Sequence, residues 1–132
     1  MPRRALTAVL ALAATGSLSA CGSQGIDVPK GSGYYEGAKL FSQRCSGCHT
    51  LTVVGAQGSA TKVRDRERVD GPNFDQRKEE ADQVLYAIRN GGFSGAIMPE
   101  NIVVGKEAQE VAQFLAKYSG RKRKAPKGPG TG

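Results

Sequence analysis

Apolar residues recur at helical spacing in two stretches of the chain. Ala81, Val84, Leu85 and Ile88 fall at i, i+3, i+4 and i+7, which is one face of a helix. Val111, Phe114, Leu115 and Tyr118 repeat the pattern and predict a helix over about Lys106–Tyr118. A further helix is expected from about Tyr34 to Arg44, with Tyr34, Leu40 and Phe41 facing inward and Ser32 or Gly33 near its cap. Glu79, Glu80 and Asp82 stand near the start of the middle helix, where negative charge suits the dipole, and Gly91 and Gly92 end it. Glu107 opens the last helix, Lys117 lies near its end and Gly120 stops it. No stretch alternates well enough to predict a strand. The pattern therefore predicts an all-α domain over 34–120 with about three main helices.

The residues before this domain read differently. Met1 to Arg4 carry positive charge, Ala5 to Ala14 are apolar, and Thr15 to Ala20 are small. Together 1–20 form an export signal; the apolar run is about half of the roughly 20 residues that a membrane span needs. Leu18-Ser19-Ala20-Cys21 resembles the lipobox of bacterial lipoproteins, which makes Cys21 the expected lipidation site and 21–33 a Gly- and Ser-rich tether. The expected location is the outer face of a bacterial cytoplasmic membrane, held there by lipid.

Charge follows the same division. Nineteen Lys and Arg against twelve Asp and Glu give +7. The excess lies at the ends, with Arg3 and Arg4 at the start and Arg121, Lys122, Arg123, Lys124 and Lys127 near the finish. The tail 121–132 is expected to be disordered and solvated; the alternatives are attraction to anionic head groups or steering toward an acidic docking face on a partner. Export argues against nucleic acid as a partner.

The chemistry is concentrated in Cys45-Ser46-Gly47-Cys48-His49. C-x-x-C-H is the attachment signature of c-type haem. Two thiols one helical turn apart can add across the two vinyl groups of a porphyrin, and the adjacent imidazole then lies under the iron. Zinc would need further Cys or His ligands, and none follows residue 49. A thioredoxin-like dithiol would follow a strand, whereas Glu36 to Arg44 read as helix. There is no Trp, and 18 glycines dilute the chain, so one bound haem also supplies core that the side chains lack.

A six-coordinate iron needs a ligand opposite His49, the only histidine. Met1 leaves with the signal, so Met98 is the remaining methionine, in the loop Gly95-Ala96-Ile97-Met98-Pro99. The alternatives are a core methionine or an open coordination position. Histidine with thioether leaves no place for substrate and raises the reduction potential, which suits one-electron transfer and not an enzyme. Lys62, Arg64, Arg89 and the tyrosines are candidates to meet the haem carboxylates. Residues 55–70 are expected as a solvated loop or short surface helix, with docking as the alternative role.

Glu36-Gly37-Ala38-Lys39-Leu40-Phe41, the C-x-x-C-H run, Gly71-Pro72-Asn73-Phe74, Asn90-Gly91-Gly92 and Met98-Pro99 follow in order. In this the chain resembles the small monohaem class I cytochromes c of bacteria over roughly Tyr34 to Ser119. The resemblance implies an all-α fold wrapped around one covalent haem, with the Pro72 carbonyl accepting a hydrogen bond from His49 and Gly37 allowing close approach of the last helix. It implies a monomeric electron carrier of a respiratory chain. Its partners would be a quinol–cytochrome c reductase and a terminal oxidase, or a dehydrogenase. The alternatives are a haem-based sensor of small ligands and an electron-accepting subunit of a larger dehydrogenase or oxidase complex.

Overall fold

The computed structural model describes residues 25–93 and 97–121. The export signal, Cys21, the basic tail from Lys122 onward and Gly95 and Ala96 lie outside the described residues. Three α-helices dominate: α1 (Tyr35–Arg44), α2 (Ala81–Asn90) and α3 (Gly105–Tyr118). Between α1 and α2 the chain forms a two-residue antiparallel pair, β1 (Thr50–Leu51) with β2 (Ala56–Gln57), and 3-10 turns at Thr52–Val54 and Val63–Asp65. The strands were not expected. They are too short to show alternation, and side-chain bonds hold them as much as the ladder does: the Thr50 and Ser59 hydroxyls bond each other's backbone, and Asp75 accepts from the Thr52 N–H and hydroxyl.

The helices form where the pattern places them. Val84 and Ile88 are buried on α2, and Val111, Phe114 and Leu115 on α3. Gly91 ends α2 in the left-handed conformation, φ 66°, with its N–H on Ala87 O, and Gly120, φ 70°, turns the chain so that its N–H reaches Phe74 O. Ser32 accepts from Tyr34 N–H just before α1. Glu79 departs from expectation: it lies ahead of the first residue of α2 and is buried at 3% exposure, where a dipole-favouring carboxylate would have faced solvent.

The α1–α3 crossing depends on Gly37. A Cβ there would stand 2.2 Å from Glu110 O and 2.7 Å from Phe114 Cβ, so only hydrogen fits between the helices. Phe41, fully buried on the same face of α1, meets Phe114 and Phe74 with ring centroids 5.9 Å apart in each case, within the range of favourable tilted aromatic pairs. Part of the expected tether is packed as well. Val28 is buried, Ile26 packs on the core, and Asp27 N–H donates to Val53 O. The domain therefore begins near Gly25: two branched apolar residues in the run gain more from burial than the glycines gain from freedom.

Gly37→Ala should lower the stability of the haem-loaded protein by about 1–3 kcal/mol in denaturant unfolding, the usual range for overpacking. Gly31→Ala, with nothing within 4 Å of the added carbon, should leave it nearly unchanged.

Candidate haem site

The site starts at the end of α1. Cys45 N–H still bonds Phe41 O in helical fashion, and both Cys48 N–H and His49 N–H then turn back onto Cys45 O, at 3.2 and 3.1 Å. That single turn brings Cys45, Cys48 and His49 to one wall. The hairpin holds the turn from behind: Gly58 N–H donates to His49 O, and a Cβ on Gly58 would stand 2.3 Å from Ser46 O. Burial, reinforced by Cys48, pushes the Cys45 thiol up to about 12. This opposes the dithiol reading, since redox-active thiols need a lowered pKa.

His49 is fixed on several sides. Its Nδ1–H donates to Pro72 O at 3.1 Å. Because a carbonyl can only accept, Nδ1 carries the proton and Nε2 keeps its lone pair. Burial pushes the imidazole pKa down, with the Pro72 bond acting the other way, so the neutral ligand form is favoured. Phe74 stacks on the ring at 4.7 Å and 15°. Gly71 lies against it so closely that a Cβ would be 2.3 Å from Cε1, and Gly71 N–H is tied to Cys48 O at 2.7 Å.

These residues line a cavity of about 320 Å³, and Met98 lies on its wall with them. Met98 is half-buried against the core. Its loop is drawn to the end of α2 by Gly91, where a Cβ would be 2.8 Å from Met98 O, and by Asn101 N–H on Ile88 O. Apolar wall comes from Val84, Ile88, Val111 and Leu115. The donor set suits haem c: two thiols and an imidazole with a free Nε2 on one wall, a thioether on the same cavity, and apolar packing between.

The charged groups on the wall differ from those expected. Lys62, Arg64, Arg89 and the tyrosines are not among the lining residues; Arg44, Arg66, Arg68 and Arg77 are. The reason is local. Lys62 and Arg64 belong to the 3-10 turn and its cap, whereas Arg66 and Arg68 come after it, where the chain turns over 67–70, with Asp70 N–H on Glu67 O, and meets the cavity together with Val69 and Asp70. Asp70 holds this loop by accepting from the Glu67 and Ala60 N–H groups, which keep its carboxyl below the usual range. The 55–70 segment is thus solvent-exposed over 61–69, as expected, and is also part of the cavity wall. Glu79 completes the wall and was not anticipated as a site residue; its place among acids before a helix concealed it.

Gly71→Ala should displace the imidazole and weaken its bond to Pro72. The expected result is a changed low-spin spectrum in the haem-loaded variant, measured by absorption and electron paramagnetic resonance. An unchanged spectrum would show that the ring is not held by this contact.

The family described as cytochrome c oxidase, cbb3-type, subunit III matches residues 34–115. No curated protein matches the chain. Among solved structures it is similar to the c-type cytochrome SorU from Sinorhizobium meliloti, at 30% identity and a TM-score of 0.53, over 67% of this chain and 93% of that one. With the three-helix fold and the cavity described above, the chain belongs to the class I monohaem cytochromes c, which hold haem c covalently and use it for electron transfer.

Proposed function

We propose that the protein is a lipid-anchored one-electron carrier of a membrane-associated respiratory chain, with Cys45 and Cys48 as thioether positions and His49 and Met98 as axial ligands. The observation that carries this reading is the joint placement of these four side chains on one cavity whose histidine tautomer is set by Pro72. Haem bound there supplies the one-electron couple. The chain's own residues do the remainder. Pro72 and Phe74 hold the imidazole with Nε2 free to ligate, and the thioether favours the ferrous state. The apolar walls exclude water. Val69, Phe93 and Ile97 line the cavity and are also exposed, so its mouth opens on an apolar surface through which a partner protein can approach within electron-transfer distance. Cys21, following an export signal, supplies the anchor.

The terminal oxidase is the favoured acceptor class, in keeping with the oxidase named in the matching family. That same description favours, as a second reading, a subunit that receives electrons within a larger complex. Stable co-purification with an oxidase or dehydrogenase would select it over the free carrier.

The mature domain, made with c-type maturation, should show sharp low-spin reduced bands, a ferric thioether charge-transfer band and no response to carbon monoxide. Met98→Ala should abolish the charge-transfer band and admit carbon monoxide. Ready carbon monoxide binding by the wild type would overturn the carrier reading in favour of sensing. Separately, Cys21→Ala should move the protein from the membrane fraction to the soluble fraction; retention in the membrane would rule out the lipid anchor.

A further inference from the structure

Glu79 is a carboxylate enclosed in the cavity wall. Its side chain is 4% exposed, and Arg77 Nε stands 2.6 Å from its Oε1. The contact lacks hydrogen-bond alignment, and this enclosed oxygen has no hydrogen-bond partner. The group is held in place. Glu79 N–H donates to Ser119 Oγ at 2.8 Å, Lys78 Nζ donates to Ala116 O, and Gly120 N–H donates to Phe74 O. These bonds fasten residues 74–79 to the end of α3, so the carboxylate stays in the wall.

Its electrostatic surroundings can be named element by element. Arg77 is its ion-pair partner on the same segment. The other charged or titratable groups on the cavity are Arg44 and Cys45 at the end of α1, Cys48 and His49 beyond it, and Arg66, Arg68 and Asp70 on the loop. From α2 and α3 the lining residues are uncharged: Val84, Ala87, Ile88, Val111 and Leu115. Burial pushes the Glu79 carboxyl up, and Arg77 offsets this only in part.

Resting on the functional reading above, we propose that Glu79 is a redox-linked proton site, which binds a proton when the iron in the cavity is reduced and releases it on oxidation. The step balances as one electron from the donor protein and one proton from solvent, giving ferrous iron and a neutral Glu79 carboxyl. One O–H bond forms and no other bond changes. The cause is electrostatic. Reduction removes one positive charge from an enclosed, weakly screened space, and the buried carboxylate then loses part of what favours its ionised form. Arg77, half-exposed at 52%, spans the distance from solvent to the carboxylate.

The test is an equilibrium redox titration of the haem-loaded protein between about pH 4 and pH 8, comparing the wild type with Glu79→Gln. The wild-type potential should fall as pH rises through the raised carboxyl range. The variant should lose that fall and stand above the wild type at the upper end, having lost a negative charge. A second reading uses stability alone. Because folding raises this carboxyl's pKa, its contribution is present at low pH and is lost as pH rises through the raised range, so the wild type should show a decline that Glu79→Gln lacks. Should the glutamine variant fail to load haem, Arg77→Gln serves instead, and should move the wild-type pH dependence to higher pH. Superimposable pH profiles for wild type and variant overturn the proposal while leaving the carrier intact. A wild type without covalent haem overturns the functional reading itself.

Discussion

The bond from His49 Nδ1–H to the Pro72 carbonyl is the constraint around which the rest of this small protein is arranged. It decides which ring nitrogen is available to iron, and it requires the 71–74 segment to lie across the imidazole. From there the packing is dictated. Position 71 has no room for a side chain, Phe74 must stack on the ring, and Phe74 in turn abuts Phe41, which abuts Phe114. Three of the four phenylalanines thus connect His49 to the crossing of α1 and α3. A disturbance at that crossing would be felt at the ligand through rigid rings, because close-packed interiors transmit strain.

The cavity walls divide the work between two kinds of surface. α2 and α3 contribute aliphatic side chains, while the end of α1 and the segments between Arg66 and Glu79 contribute charge. A porphyrin has the same division, with an apolar ring and a carboxylate-bearing edge. The arginines of the loop supply the cationic side of that match. Asp70, pinned to two backbone N–H groups, keeps the loop from peeling away.

How much of this was legible depended on the length of the signal. α2 and α3 were readable because ten to fourteen residues of 3.6-residue periodicity leave little ambiguity, and Gly91 and Gly120 mark their ends by needing positive φ. The five-residue C-x-x-C-H run, the only histidine and Met98, the one methionine outside the expected export signal, were readable from chemistry and scarcity. The hairpin was not, because two residues per strand cannot show a period. Arg66 and Arg68 were hidden in a charged run with no period, whose approach to the cavity is set by the turn over 67–70 and by Asp70's bonds to Ala60 and Glu67 N–H. Glu79 was hidden because its burial is decided by Ser119, forty residues away in sequence. Val28 was hidden by the glycines and serines around it.

The packing of Val28 and Asp27 also sets a length. Five residues lie between Cys21 and Asp27, whose N–H is bonded to Val53 O, so the six links at full extension, about 3.5 Å each, reach only about 20 Å. A lipid on Cys21 would then hold the domain within about 20 Å of the bilayer, less than the roughly 30 Å diameter of a small domain. Encounter would become a search in the membrane plane by a body on a short leash. The redox centres it could reach would be those presented low over the same membrane, and taller partners would be excluded by distance before any chemical recognition began.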